Sequence, residues 1–157
     1  MMLWNVMLAI VWCWLQGSFS AANILGGFVL GYGILFLLSQ RGVINADNYV
    51  YKLPKAIILV LYFLWELLIA NIRLAKDLLT PGIDMKPAIL AMPLDATTDA
   101  EITLVANLIT LTPGTLSIDV SADRSTLYIH AMYVEDEAEA IAELKSGFEA
   151  RVLEVLR

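Results

Sequence analysis

The sequence predicts a chain in two parts: a membrane α-helical part of about three hydrophobic helices over residues 1–80, and a small soluble α+β domain over residues 87–157. The first forty residues contain no Lys, Arg, Asp or Glu, which is typical of sequence that lies in hydrocarbon. The net charge then changes from +2 over residues 1–86 (six basic, four acidic) to −8 over residues 87–157 (four basic, twelve acidic). Strand and helix patterns in the acidic part follow the order β-α-β-β-α.

The N-terminal region has two apolar runs, Met2–Leu15 and Ile24–Leu38, separated by the polar, glycine-containing segment 16–20. Helices of about 14 or 15 residues extend about 21–23 Å, less than the roughly 30 Å of a hydrocarbon core. We expect a hairpin of two short helices near residues 2–15 and 21–39. One long kinked helix is the alternative.

Two glycines of the second run, Gly27 and Gly31, lie one helical turn apart. Small residues at this spacing let another helix approach the backbone closely. The pattern favours helix packing at both positions, although glycine is also common in membrane helices in general.

A third helix is predicted near residues 55–77. The connector 41–54 ends at Pro54, and proline is favoured at the first position of a helix. The stretch Lys55–Lys76 is apolar apart from three residues in its interior, and its length of about 33 Å is enough for a full crossing. The helix is expected to stop at the sequence Thr80-Pro81-Gly82.

Glu66 lies in the middle of this third apolar stretch. An ionised carboxylate in hydrocarbon is costly, so Glu66 must face protein or water and have a partner, or be protonated. Three interpretations stay open: a site on or beside a proton or cation path, a contact with a neighbouring helix or subunit, or a displaced span that leaves Glu66 near the interface. No His, Asp or second Glu accompanies it in the apolar stretches, so this chain alone cannot form a complete ion relay.

The C-terminal part begins with an apolar run over residues 87–94 that is bounded by prolines and predicts an edge strand. Thr98 and Glu101 have the spacing of a capping box, so a helix is expected to begin there. Pro113 and Gly114 are expected to end this helix.

Two segments on either side of residues 122–125 alternate apolar and polar side chains, which predicts a β-hairpin. A turn at these residues pairs Val120 with Leu127 and Ile118 with Ile129, so that the apolar faces of both strands agree. The same register places a histidine and two polar residues together on the open face, namely His130, Ser117 and Asp119.

A last helix is predicted from Glu135 onward. Its apolar residues recur at spacings of three and four, namely Ile141, Leu144, Phe148, Val152 and Val155. A domain of about 70 residues without a disulfide is only marginally stable by itself. Docking on other protein or on the membrane surface is therefore expected to contribute.

The composition excludes several classes of function. The acidic polar half lacks the basic stripe that nucleic-acid binding needs, and a single cysteine, Cys13, excludes an internal disulfide and a Cys-based zinc site. His130 and Asp119 are too few ligands for a metal, and no catalytic or cofactor-binding motif is present. We therefore expect no cofactor, no metal and no enzymatic activity.

Three segments carry a family resemblance: Trp65-Glu66-Leu67-Leu68 with Ala70-Asn71, the block Leu111-Thr112-Pro113-Gly114-Thr115, and the strand Leu127-Tyr128-Ile129-His130-Ala131. With the short apolar N-terminus they make nearly the whole chain similar to the MrpE/MnhE family, one of the subunit families of the multisubunit Mrp-type monovalent cation/proton antiporters of bacteria.

This resemblance implies a membrane subunit of a seven-subunit complex that exchanges cytoplasmic Na⁺ or K⁺ for external protons. It further implies a role in assembly and exchange without a complete ion path, a place in the cytoplasmic membrane among lipid and the other subunits, and a cytoplasmic C-terminal domain. Asn71, Asp119 and His130 become candidate subunit contacts. With three crossings the N-terminus would lie outside.

A freestanding membrane-anchored binding or sensing module is the alternative hypothesis. Its C-terminal domain would hold a ligand on the open face near Ser117, Asp119 and His130. The two hypotheses differ in whether the chain is stable without partners, and the first expects the substitution Glu66→Gln to weaken assembly or transport.

Overall fold

The computed structural model describes residues 1–44, 47–80 and 85–157. These residues form two compact units, Met1–Pro54 and Lys55–Arg157. The first unit is helical. The second combines a three-stranded sheet with helices, as the sequence predicts.

Two helices pack against each other in the first unit, α1 (Met2–Leu15) and α2 (Ala21–Gln40). Gly17, in the turn between them, has φ +63°, a left-handed conformation that glycine adopts without steric cost. The Ser20 side chain then caps α2 by accepting a hydrogen bond from the backbone N–H of Asn23 at 3.3 Å. The polar break between the two apolar runs is thus a turn followed by a helix cap.

The next helix, α3 (Asp47–Leu79), begins well before the expected start near residue 55, so the second half of the predicted connector is helical. Pro54 lies inside α3, where its missing N–H leaves the carbonyl of Val50 without a helical donor. The Tyr32 hydroxyl donates a 2.8 Å hydrogen bond to that carbonyl and so offsets the loss. The expected stop at Pro81 and Gly82 lies outside the described residues.

Length and composition allow two of the described helical stretches to cross a membrane, Ala21–Gln40 and Tyr49–Leu79. Met2–Leu15 is apolar but shorter. Few residues of either stretch are buried within the chain, 17% and 6% of the most apolar eighteen-residue segment, which is expected for helices that contact lipid or other proteins.

Three further helices belong to the second unit: α4 (Asp99–Leu111), α5 (Glu137–Leu144) and α6 (Ala150–Leu156). A π-helical turn over Lys145–Glu149 joins the last two, so the final helix is continuous but locally widened. Gly147 and Phe148 in this turn are buried. The widened segment lies against α3, where Phe148 meets Tyr62.

The predicted capping box begins α4. The Thr98 hydroxyl accepts from the backbone N–H of Glu101 at 3.3 Å, and the Glu101 carboxylate accepts from the backbone N–H of Thr98 at 3.1 Å. The Arg157 guanidinium donates to the same carboxylate at 2.9 Å. Arg157, with the backbone amides of Thr97 and Thr98, lowers the pKa of Glu101 to about 2, so Glu101 is ionised at neutral pH and ties the end of α6 to the start of α4.

The sheet has three antiparallel strands, β1 (Ala88–Pro93), β2 (Thr115–Val120) and β3 (Thr126–Ala131), in the order β1-β3-β2. β3 is central and pairs with both neighbours, so β1 and β2 form the two edges.

The register of the hairpin between β2 and β3 differs from the prediction at one residue. Val120 pairs with Leu127 as predicted. A bulge at Ile118 then places Ser117, and not Ile118, opposite Ile129. One extra residue in a strand turns the side chains beyond it to the opposite face of the sheet.

The bulge changes which side chains reach the core. Leu116 and Ile118 are exposed, by 49% and 52%, whereas Ser117 faces inward and its hydroxyl donates to a backbone carbonyl of α4 at 3.0 Å. His130 lies opposite Leu116 on β2. The predicted grouping of Ser117, Asp119 and His130 on one open face is therefore wrong.

The core of the second unit lies between the inner face of the sheet and its helices. Seven of its buried residues come from β1, β3, α4 and α6, namely Leu90, Met92, Val105, Ile109, Leu127, Ile129 and Val152. Leu59 of α3 belongs to the same cluster and is only 7% exposed. The second half of α3 is thus part of this core.

Candidate functional site

A cavity of about 170 Å³ in the second unit brings together two features that the sequence singles out. Glu66 of α3 lines one side, and the segment Thr112–Thr115 of the Leu-Thr-Pro-Gly-Thr block lines another. Arg73 and Glu143 complete its charged lining. Leu111, the first residue of the block, is exposed.

The block itself is a compact turn from α4 into β2. The hydroxyls of Thr112 and Thr115 both donate to the carbonyl of Ile109, at 2.7 and 2.6 Å, and so satisfy the last turn of α4. Gly114 has φ +96°, and its carbonyl accepts from the backbone N–H of Met132 at 2.8 Å. The residue types of this block are therefore explained by the turn that they build.

Glu66 lies one helical turn after Tyr62, so the two side chains share one side of α3. The Tyr62 ring meets Phe148 edge to face, with centroids 5.3 Å apart. The Arg151 guanidinium lies 3.9 Å above the same ring. A side chain at Gly147 would overlap the Tyr62 hydroxyl, so the glycine in the π-helical turn is what allows this close approach.

A second polar contact fastens the C-terminal end of α3. The Tyr133 hydroxyl donates to the Asp77 carboxylate, and Arg73 lies 5.5 Å from the centroid of the Tyr133 ring. The hydrogen bond to Asp77 raises the pKa of Tyr133 above its usual range, so the phenol stays protonated as the donor. Sequence patterns could not find this contact, because its partners are 56 residues apart.

In the first unit, Gly27 and Gly31 face α1. A Cβ built on Gly27 would lie 2.9 Å from Cα of Ala9 and 3.0 Å from its carbonyl oxygen. A Cβ on Gly31 would overlap the side-chain oxygen of Asn5. The helices can reach this separation only because both positions lack a side chain.

Asn5 is a polar residue of this unit that the sequence analysis does not single out. It is fully buried, and its amide nitrogen donates to the Tyr49 hydroxyl at 2.7 Å. The Tyr49 ring also meets that of Tyr32 edge to face. A polar amide inside an apolar run is the signal that could have indicated this contact.

The remaining candidate residues lie apart from the cavity. Asn71 is exposed, and its side-chain nitrogen donates to the carbonyl of Leu67 in its own helix at 2.6 Å. Asp119 accepts from the adjacent backbone N–H of Val120 at 2.8 Å. His130 is half-buried in β3.

The arrangement around Glu66 is suited to helix docking. Its described contacts are hydrogen bonds, aromatic packing and cation–π contacts between α3 and the rest of the second unit. Each of these contacts holds α3 against the rest of the second unit.

Comparison with known proteins assigns the chain to a family. Residues 5–155 match a sequence model described as MNHE, Na⁺/H⁺ ion antiporter subunit. The chain is 42% identical over 153 residues to the E-type Na⁺/H⁺ antiporter subunit of Bacillus subtilis, covering 98% of this chain and 96% of the relative. It is 39% identical to the protein of the same name from Alkalihalophilus pseudofirmus, with the same coverage.

Two solved structures resemble the fold. A chain in the structure of the Mrp complex from Dietzia sp. has a TM-score of 0.50 and 26% identity, covering 62% of this chain and 92% of that chain. A chain of the membrane-bound sulfane sulfur reductase, an archaeal respiratory membrane complex, has a TM-score of 0.56 and 24% identity, covering 96% and 94%.

Proposed function

Because the chain belongs to the MNHE family of Na⁺/H⁺ ion antiporter subunits, we propose that it is an accessory, structural subunit of a multisubunit monovalent cation/proton antiporter. One observation carries the structural role: Glu66, in the middle of α3, lines a cavity where α3 meets the helices and the Thr112–Thr115 turn of the docked domain. The proposal includes no enzymatic activity of its own.

The partners in this proposal are the other subunits of an Mrp-type complex, seven subunits in all by the family resemblance, together with membrane lipid. The relatives are named as subunits, and one structural neighbour is a chain of an Mrp complex. We place the chain in the bacterial cytoplasmic membrane with its acidic C-terminal unit on the cytoplasmic side.

Purification from native membranes tests this proposal. A C-terminally tagged chain, gently solubilised, is expected to bring the other antiporter subunits with it at one copy each, as measured by mass spectrometry. Protease should remove the tag only in inverted vesicles. Recovery of the folded chain alone would contradict the proposal and favour the freestanding module.

We infer that Glu66 is a contact residue and not a member of an ion path. Its side chain offers a hydrogen-bond acceptor one helical turn from the Tyr62 hydroxyl, and Gln keeps a side-chain oxygen that can accept in the same place. Ala removes the acceptor, which costs about 1 kcal/mol for a typical hydrogen bond, or about fivefold in an assembly equilibrium.

In place of the weakening expected from the sequence alone, the substitution Glu66→Gln is therefore expected to leave both assembly and cation/proton exchange within about twofold of wild type, while Glu66→Ala lowers assembly about fivefold. Recovery of partner subunits and exchange in everted vesicles measure the two effects. Glu137→Gln is the control, because Glu137 is an exposed carboxylate of α5. A Gln variant that assembles normally but loses exchange would place Glu66 on an ion path.

Asn71, Asp119 and His130 stay candidate contacts to other subunits. Asn71 and Asp119 are exposed, and His130 lies on the outer face of the sheet. Exposed polar groups beside apolar residues such as Leu116 and Ile118 are compatible with a protein interface.

A further inference from the structure

The second half of α3, from Lys55 to Leu79, has two faces of different character. One face carries large apolar side chains that are exposed. Four of them recur every seven residues and so lie along one line, namely Ile58, Trp65, Ile72 and Leu79. The opposite face is also largely apolar where it packs in the domain core, so the two faces differ in that only one of them is covered within the chain.

The opposite face is covered by the C-terminal part of the chain along most of its length. Leu59 lies in the domain core and Tyr62 packs on Phe148 near one end, whereas Asp77 is bound by Tyr133 near the other. From residue 59 to residue 77 a helix rises about 27 Å. The domain therefore flanks α3 over nearly the full thickness of a hydrocarbon core, about 30 Å.

This docking conflicts with a crossing by the same residues. If α3 crossed the bilayer here, the Arg151 guanidinium that lies on the Tyr62 ring would be held deep in hydrocarbon, where a charged side chain is strongly disfavoured. The sheet would also enter the bilayer with β1 and β2 as open edges, and open sheet edges do not occur in lipid because their backbone groups have no partners.

Basic residues line one border of the exposed apolar face. Lys55 and Arg73 are eighteen residues, or about five full turns, apart and so share one side of the helix. Lys76 is eighteen residues after Ile58 and so lies at the C-terminal end of the apolar face itself. Lys55 and Lys76 are both exposed. Long basic side chains beside an apolar face can extend toward anionic headgroups.

The segment before α3, the α1–α2 hairpin, indicates which surface covers the exposed apolar face of α3. The α1–α2 hairpin consists of apolar helices with exposed side chains, and its connection to α3 is only residues 41–46. A helix tethered so closely to membrane helices, apolar on one face and basic at its border, fits a bilayer surface better than water.

We propose that Lys55–Leu79 lies in the plane of the membrane–water interface, with its apolar face in the lipid and the C-terminal domain on its water side. The occupant of the exposed face is the bilayer itself, with anionic headgroups near Lys55 and Lys76. This places Glu66 near the interface and replaces the third crossing that apolar length alone predicts.

Depth measurements along α3 test this placement. Single cysteines replace Ile58, Trp65, Ile72 or Leu79 in a Cys13→Ala background, and each is spin-labelled in the assembled complex, with other reactive cysteines removed, in vesicles of phosphatidylethanolamine and phosphatidylglycerol. Collision rates with oxygen and with a water-soluble nickel chelate give the depth of each label. Leu30→Cys on the exposed side of α2 and Glu137→Cys on α5 serve as deep and aqueous references.

The four labels are expected at one shallow depth, about 5–10 Å below the headgroup boundary. A crossing helix would separate the first and last labels by about 32 Å along the membrane normal, with the greatest depth in between, and that profile would overturn the proposal.

Low access by both reagents would show that another protein of the complex covers the face. High access by the nickel chelate at all four positions would show that water covers it. Either result would also overturn the proposal.

Any three of the four labels are enough to define how depth changes along α3. One variant that fails to assemble therefore does not prevent the measurement. The co-purification described above is independent of depth. A chain that assembles with antiporter subunits but shows the crossing profile would contradict the interfacial placement alone.

Discussion

Replacing Phe148 by alanine is expected to lower the free energy of unfolding of the C-terminal unit by about 3–5 kcal/mol. Phe148 is only 4% exposed and lies in the hydrophobic cluster that also contains Leu59 of α3. Its ring is the partner of Tyr62, so the truncation opens a cavity where α3 meets the domain. A small domain has only a few kcal/mol of stability in total, so most of it would be lost.

Pulse proteolysis of the full chain in the solubilised complex, over a urea series, measures this change. Phe148→Leu retains most of the apolar volume and should lose less than about 1.5 kcal/mol. Tyr128→Ala is the matched aromatic control, because Tyr128 is exposed on the outer face of the sheet and surface substitutions cost about 0.5 kcal/mol or less. Equal resistance of Phe148→Ala and Tyr128→Ala would contradict the docking of α3 on this core.

The substitution Gly27→Leu is expected to separate α1 from α2 and to reduce recovery of the assembled complex at least about tenfold. Even the first carbon of a side chain at this position would meet the backbone of Ala9 at 2.9 Å, and backbone cannot move aside as a flexible side chain can. Overpacking of this kind costs about 1–3 kcal/mol or more, and about 1.4 kcal/mol is tenfold in an equilibrium.

Gly33→Leu is the matched control for this experiment. Gly33 lies in the same helix, and a Cβ there meets no described atom within 4 Å. Quantitative mass spectrometry of complexes purified through a different antiporter protein would measure how much of each variant is incorporated. If Gly33→Leu reduced incorporation as much as Gly27→Leu, the loss would come from helix hydrophobicity or insertion and not from the contact with Ala9.

Local signals in the sequence were enough to predict the elements that depend on neighbouring residues. The apolar runs predicted a helical N-terminal part, and the capping box at Thr98 and Glu101 predicted where α4 begins. The alternation around residues 122–125 predicted the hairpin and its pairing of Val120 with Leu127. These features depend on spacings of two to four residues, which remain visible whatever the rest of the chain does.

The early start of α3 was missed because the compensation for Pro54 comes from Tyr32, which belongs to another helix. The bulge at Ile118 was missed because the apolar–polar alternation of β2 looks the same with or without an extra residue. Only the inward orientation of Ser117 in the structure reveals the bulge. In both cases a contact between residues distant in sequence decided the local structure, and the local sequence pattern could not show that contact.

By itself the sequence determined that this chain has an apolar helical part, an acidic α+β part and a single carboxylate of interest in the middle of its third apolar stretch. Only the tertiary structure decided that Glu66 and the Thr112–Thr115 turn share one cavity, and that Tyr62 docks on Phe148. The physical reason is that composition and periodicity act over a few residues, whereas the partner of a helix face depends on shape and close packing between segments far apart in sequence, 86 positions for Tyr62 and Phe148.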